Sequence, residues 1–211
     1  VVLHEKYQLK PLYFFLLAEK RKGYDRNISP HTKAMRELIK QHASKYSIGI
    51  HPSWQSGDDE TIWRKEIELL KNISSKQINS SRQHYIRMQL PVTYRLLIKY
   101  GITDDYSLGY GSINGFRASY ALPFYWYDLE KEEQTSLLIH PFCFMEANSF
   151  FEQGYTAAQA GEELQQYFDV VKKVNGALIT IFHNHFVTEQ PQWIEWRKMY
   201  ERFLERNFIY P

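Results

Sequence analysis

The chain has one cysteine and no long apolar run, and both shortages restrict what it can be. Cys143 has no second cysteine to pair with, so an internal disulfide is excluded and nothing requires an oxidising compartment. The longest apolar run, residues 12–18, is far shorter than the roughly 20 residues of a membrane-spanning helix. We therefore expect no membrane span, and the cysteine usage favours a cytoplasmic location.

The chain also lacks an excess of charge of one sign. It has 26 Lys and Arg against 24 Asp and Glu, a formal net charge of +2, and the basic residues are scattered among the acids. Such a distribution argues against nucleic acid as a partner. The glycine-rich turn of nucleotide-binding folds is missing as well, because no G-x-x-x-x-G-K run follows the first predicted strand.

Segments of strand and helix length alternate along the chain. The apolar run 12–17 has the composition of a strand that is buried on both faces. Further strands are predicted at 46–50, 84–88, 106–110, 137–145 and 177–182, with a long loop at 111–126. Apolar residues at helical spacing predict helices around 35–43, 62–73, 91–100, 164–174 and 193–203.

This alternation predicts an α/β fold with a parallel sheet, and without a nucleotide-binding turn it favours a barrel over an open sheet. A chain of 211 residues is large enough for one well-buried core and short for two, so we expect a single domain over residues 1–211. Its first residues read as the middle of a longer chain. We therefore expect the domain to lack its N-terminal strand.

Ionisable and aromatic residues recur where the predicted strands end. The carboxyl ends of parallel strands meet on one face, so residues placed there are expected to converge into one site. The candidates at strand ends and in the loop are His51, Trp54, Gln55, Arg82, His84, Tyr110, Arg117, Tyr120, Glu146, His183 and His185. Aromatic residues make up 16% of the chain, and such rings either line ligand clefts or fill a core.

Three of these runs resemble motifs of the polysaccharide deacetylases, the NodB-homology fold of carbohydrate esterase family four. Residues 47–55, Ser-Ile-Gly-Ile-His-Pro-Ser-Trp-Gln, resemble a motif in which a strand ending in His is followed four residues later by a second His. Residues 115–117 with Pro123 resemble an Arg-x-Pro motif, and residues 177–183 a last motif that ends in His. The chain is also similar to bacterial deacetylase-like proteins that carry a His-Pro-Ser motif and have no settled activity.

The resemblance implies a distorted, incomplete (β/α) barrel and the metal-assisted removal of an acetyl group from a glycan or a small acylated substrate. In that family a divalent metal, usually zinc, is held by one Asp and two His, and a second Asp acts as base. Carried onto this chain, His51 is a metal ligand, Arg117 orients the base and His183 is the general acid. Candidate sugar-stacking residues are Trp54, Tyr110 and Tyr120, and a further candidate acid is Glu146.

The chain departs from the family pattern at two points. Gln55 occupies the position of the second metal-binding His, and a carboxamide is a poor zinc ligand. The tandem Asp motif should precede the first strand, yet the first aspartate is Asp25, so those acids lie upstream of Val1 or have been lost. His84 is a candidate compensating ligand, and its neighbour Arg82 could pair with a carboxylate.

Three interpretations remain open. The first is a metal-dependent deacetylase, and the second is a catalytically inactive deacetylase-like domain that binds carbohydrate or a protein partner. The third is an unrelated α/β-barrel hydrolase that uses histidines without a metal. Gln55 favours the second interpretation, whereas the repeated ionisable strand ends favour the first.

Overall fold

The computed structural model describes residues 2–208 and divides the chain into two compact units. The sheet unit consists of Lys10–Ser107 and Phe124–His140. The helical unit consists of Val1–Leu9, Leu108–Pro123 and Pro141–Pro211, of which residues 1 and 209–211 lie outside the described part. A single domain over residues 1–211 stays a prediction.

The described part of the chain contains six helices and eight strands, which alternate except from β4 to β7. In order they are α1 (Val2–Lys6), β1 (Tyr13–Leu16), α2 (Lys33–Lys45), β2 (Ile48–His51), α3 (Glu60–Ser74), β3 (Ser80–Ser81), α4 (Val92–Lys99), β4 (Asp104–Asp105), β5 (Phe124–Asp128), β6 (Glu133–Ile139), β7 (Phe144–Met145), α5 (Ala157–Lys173), β8 (Thr180–Ile181) and α6 (Ile194–Asn207). Short 3₁₀ helices lie at Gln55–Asp58, His84–Ile86 and Asn184–Val187, and a π-helical turn lies at Asn148–Glu152.

The sheet unit is built on one mostly parallel six-stranded sheet in the order β1-β2-β3-β4-β6-β5. The pairs from β1 to β6 are parallel, and only the β5–β6 hairpin is antiparallel. Ile50 of β2 and Ile139 of β6 are fully buried in the sheet, and helices α2 and α3 bury Ile39 and Ile67. A mostly parallel sheet with helices between its strands is an α/β fold, as predicted.

The helical unit has a core between α5, α6 and the parallel strand pair β7–β8. Helix α5 begins with a capping box, in which Thr156 and Gln159 satisfy each other's backbone amides. Beyond its end, Asn175 has a left-handed φ of 50°, a conformation that asparagine commonly adopts after a helix. Leu164 of α5 and Trp196 and Met199 of α6 are buried together in this core.

Several strand predictions are wrong in position. Strands β3 and β4 lie upstream of the predicted 84–88 and 106–110, and each has only two residues. The reason is that Ser81 and Asp105 are polar but fully buried, so no apolar run marks these strands. The predicted strand 137–145 is two strands, β6 and β7, and the predicted strand 177–182 is ordered as a strand only at Thr180–Ile181.

Candidate active site

His51 ends β2, and its imidazole is oriented by the neighbouring strand. The amide of Arg82, just after β3, donates to the carbonyl oxygen of Ile50 (3.0 Å). The carbonyl of Arg82 in turn accepts a hydrogen bond from Nδ1 of His51. Because a carbonyl oxygen can only accept, Nδ1 of His51 carries the proton and Nε2 carries the lone pair in the neutral ring.

Asp25 is the anchor of the site, and the sequence did not single it out. This carboxylate is 1% exposed. Its Oδ1 accepts from the Trp54 amide (2.8 Å) and from Nδ1 of His84 (3.0 Å), and its Oδ2 accepts from the amide (3.3 Å) and the side chain (3.0 Å) of Gln55. Burial alone would raise the pKa of Asp25, but these four donors outweigh it and hold the pKa below its usual value.

The two imidazoles therefore form an oriented pair. The ring centroids of His51 and His84 are 4.8 Å apart and the rings are tilted by 60°. His84 donates from Nδ1 to Asp25, so in both neutral rings Nε2 is the basic nitrogen. The sheet unit thus brings together His51, Gln55 and His84, and a site role for these three residues stays a prediction.

Aromatic side chains border this pair. Tyr24 lies 5.1 Å from Trp54 and 4.8 Å from Tyr85, measured between ring centroids, and the guanidinium of Arg87 lies 3.6 Å over the Trp54 ring. Tyr24 is 53% exposed and Tyr85 is 63% exposed, so this aromatic patch faces solvent in part. Trp54 was predicted, whereas Tyr24 and Tyr85 were missed because neither ends a predicted strand.

Arg82, one of the predicted site residues, contacts Tyr106 and Phe14. Its Nε donates to the carbonyl oxygen of Tyr106 (3.3 Å), and its guanidinium lies 4.5 Å from the centre of the Phe14 ring. The side chain therefore contacts a backbone carbonyl and an aromatic face.

A second imidazole–carboxylate pair in the sheet unit was missed. Nε2 of His140 lies 2.7 Å from Oδ1 of Asp104, and the imidazole stacks on Tyr106 with 4.2 Å between ring centres and 7° between planes. His140 follows β6 directly, but the prediction of one long strand over 137–145 hid this strand end.

The helical unit also holds a hydrogen-bonded imidazole–carboxylate pair. Glu146 is fully buried, and its Oε1 accepts from both the backbone amide and Nδ1 of His183, the latter at 2.8 Å. Its Oε2 is buried without a hydrogen-bond partner. The His185 ring lies 5.9 Å from that of His183, and burial, followed by the nearby His183 charge, lowers the pKa of His185.

His183 and His185 flank Asn184, so an extended backbone would place their side chains on one side, but the backbone here is not extended beyond His183. His183 follows β8, but the chain turns at once into the 3₁₀ helix Asn184–Val187. The two ring centroids are nevertheless 5.9 Å apart.

The remaining predicted residues lie in the loop of the helical unit. Arg117 is exposed and donates to the carbonyl oxygen of Gly109 (3.2 Å), and Tyr110 and Tyr120 are exposed. Asn148 fixes the loop by donating to the carbonyls of Tyr110 and Ile113. An orienting role for Arg117 and the convergence of His51, Arg117 and His183 stay predictions.

The donor set of the described residues does not complete the metal site that the resemblance implied. Among the side chains that the structure describes, no three of His, Cys, Asp or Glu are grouped so that they could hold a metal ion. Asp25 already accepts four hydrogen bonds, and Gln55 uses its amide nitrogen on Asp25 and on the Lys20 carbonyl (2.7 Å). His51 and His84 supply two nitrogens, whereas a zinc site needs at least three protein ligands.

The comparisons with known proteins rest on structure alone. No family model matches the chain, and no curated protein matches it in sequence. Two solved structures assigned as polysaccharide deacetylases are similar to it. The protein from Mycobacterium smegmatis has a TM-score of 0.66 at 17% identity, over 97% of this chain and 68% of that one. The protein from Pseudomonas aeruginosa PAO1 has a TM-score of 0.59 at 17% identity, over 82% and 57%.

A third solved structure, PuuE allantoinase, has a TM-score of 0.62 at 14% identity and matches 100% of this chain and 72% of its own. The chain therefore has the α/β fold of the polysaccharide deacetylases, which confirms the predicted fold class and the resemblance. The described helices include none that is both long and apolar enough to cross a membrane.

Proposed function

We propose that this chain is a deacetylase-type hydrolase domain that removes an acyl group, such as acetyl, from a carbohydrate. The observation that carries the proposal is the Asp25–His84–His51 cluster beside the partly exposed rings of Tyr24 and Tyr85. A rigid acid–base group next to an aromatic surface suits a sugar that carries a hydrolysable group.

His84 is the general base in this proposal. Its Nε2 takes a proton from water as the water oxygen attacks the carbonyl carbon of the acyl group. Asp25 stays ionised, because its pKa is lowered, and it stabilises the imidazolium that forms. The bond between the acyl carbon and the sugar nitrogen or oxygen then breaks, and the leaving group takes up a proton.

The family resemblance assigns the role of general acid, the group that supplies this proton, to His183. The buried Glu146 carboxylate accepts a hydrogen bond from Nδ1 of His183 and fixes the orientation of its imidazole ring. His183 therefore has the role of general acid in the proposal. None of these steps passes through a metal, and metal assistance would require a ligand in addition to His51 and His84.

The test is acetate release from N-acetylated chito-oligosaccharides and from acetylated xylan. We expect His84→Asn to lower kcat/KM by roughly 100-fold or more, because general base catalysis typically contributes that much. Trp54→Ala should raise KM with a smaller effect on kcat, since it removes a stacking surface. The matched control is His31→Asn, an exposed histidine in the same unit. Equal rates for the wild type and His84→Asn would contradict the proposal.

A specific observation favours a second candidate, a carbohydrate-binding domain without hydrolysis. Gln55 replaces a family metal ligand, and its side chain is already used to hold Asp25 and the Lys20 carbonyl. Calorimetry with the same oligosaccharides separates the two candidates. Binding that Trp54→Ala weakens, with no acetate released by the wild type, would favour the binding domain.

A further inference from the structure

Glu66 is a buried acid that the proposed reaction does not use. It lies on α3, is 3% exposed, and accepts a hydrogen bond at Oε2 from the backbone amide of Ser53 (2.9 Å). Its Oε1 is buried and has no hydrogen-bond partner. None of the ion pairs among the described residues includes Glu66. The interior of the sheet unit thus holds a carboxyl group without a counter-charge.

The hydrogen bond from Ser53 ties this acid to the turn that builds the site. Ser56 donates from its amide to Oγ of Ser53 (3.1 Å) and from its hydroxyl to the Ser53 carbonyl (2.7 Å), and both serines are buried. The same turn carries the amides of Trp54 and Gln55 that bind Asp25. A shift of Ser53 would therefore move two of the four donors that hold Asp25.

The surroundings of Glu66 favour its neutral form. Burial first, and then the negative charges of Asp25 and Glu19 in the segment after β1, raise the pKa of Glu66 to about 7. The amide and hydroxyl of Ser53 work against this shift but do not cancel it. An ionised carboxylate with a bare buried oxygen would be costly, whereas a neutral acid needs no counter-charge.

We propose that Glu66 is a positioning residue, which in its neutral form anchors the Ser53 turn and thereby fixes the amides that orient Asp25 and His84. Its effect on hydrolysis rests on the proposed function, but its effect on geometry does not. The test accordingly measures stability and the state of His84, so that its failure is distinguishable from the absence of hydrolysis.

The experiment compares the intact wild-type chain with Glu66→Gln, Glu66→Leu and the control Glu68→Gln. Glu68 is on the same helix but is exposed. The native state of the wild type retains the Glu66 proton to higher pH than the unfolded state does, so stability falls as pH rises from 4.5 through 7. Relative to Glu66→Gln, the folded-to-unfolded ratio of the wild type should fall on the order of 100-fold between pH 5 and pH 8. Glu68→Gln should follow the wild type.

The second measurement is the imidazole ¹⁵N NMR signal of His84, which reports its hydrogen bond to Asp25. It should be unchanged in Glu66→Gln, which keeps an oxygen for the Ser53 amide, and shifted in Glu66→Leu, which does not. An unshifted His84 signal in Glu66→Leu would overturn the positioning role. If the stability of the wild type and of Glu66→Gln changed with pH in the same way, the proposal that Glu66 is neutral in the native state would be overturned. This comparison decides the proposal even if Glu66→Leu does not fold.

Discussion

The sheet unit and the helical unit each contain a buried carboxylate bonded to Nδ1 of a histidine, and the two carboxylates differ in how fully they are satisfied. Asp25 accepts four hydrogen bonds, two on each oxygen, from three residues. Among the described residues, only His183 donates to Glu146, at one oxygen, and the other oxygen is buried without a partner there.

The difference shows that a carboxylate–imidazole pair can contribute more to stability in one place and leave its imidazole more accessible for chemistry in another. A saturated carboxylate such as Asp25 joins separate chain segments, so removing it costs folding energy. The unpartnered oxygen of Glu146 adds no stability, and the imidazole it holds is more exposed, at 39% for the His183 side chain against 15% for His84. Stability should therefore depend more on the sheet-unit pair than on the helical-unit pair.

The largest expected effect is that of Asp25→Ala. It leaves the amides of Trp54 and Gln55 and the imidazole of His84 without their acceptor, and we expect the free energy of unfolding to fall by about 3 kcal/mol or more. Glu146→Ala should cost less, about 1–2 kcal/mol, because only one residue donates to Glu146. Urea unfolding followed by circular dichroism measures both.

Asp169→Ala is the control for these two variants, since Asp169 is exposed on α5 and should change the unfolding free energy by less than about 0.5 kcal/mol. A larger loss of unfolding free energy for Glu146→Ala than for Asp25→Ala would contradict the conclusion that Asp25 contributes more to stability.

A smaller effect is expected when the imidazoles are removed. His84→Ala should lower the free energy of unfolding by about 2 kcal/mol, because it takes a donor from a buried, ionised carboxylate. His183→Ala should cost less than about 1 kcal/mol, because its side chain is partly solvated. The same urea titrations provide the measurement. Equal losses of unfolding free energy in His84→Ala and His183→Ala would contradict the expectation that the more buried imidazole contributes more to stability.

The fold could be predicted from the sequence where apolar runs are continuous. Residues 12–17 and 46–50 predicted β1 and β2 closely, because aromatic and β-branched residues, which favour strands, recur in both segments. Strands β3 and β4 could not be found in this way, since buried Ser81 and Asp105 interrupt the pattern. The antiparallel β5–β6 hairpin lay partly inside the predicted loop 111–126.

The site could be predicted only in part, for a related reason. Strand ends pointed to His51, and the short run 81–85 pointed to His84. Asp25 lies in a loop nine residues beyond β1 and meets His84 across 59 residues of sequence, a contact that no local pattern encodes. Its loop does contain a signal, since Tyr24 and Asp25 follow Gly23, whose φ of 65° marks a turn.

The smallest expected effect concerns His185, beside His183 in the helical unit. Its pKa is lowered by burial and by His183, so the unfolded state binds a proton more readily than the native state does. The free energy of unfolding should therefore rise with pH between the lowered pKa and 6.5, and His185→Asn should remove this dependence. Since the side chain is exposed in part, the gain of His185→Asn over the wild type at pH 5 should stay below about 0.5 kcal/mol. Urea titrations at pH 5 and pH 8 measure it, and a gain of equal size at both values would mean that His185 acts through packing and not through its proton.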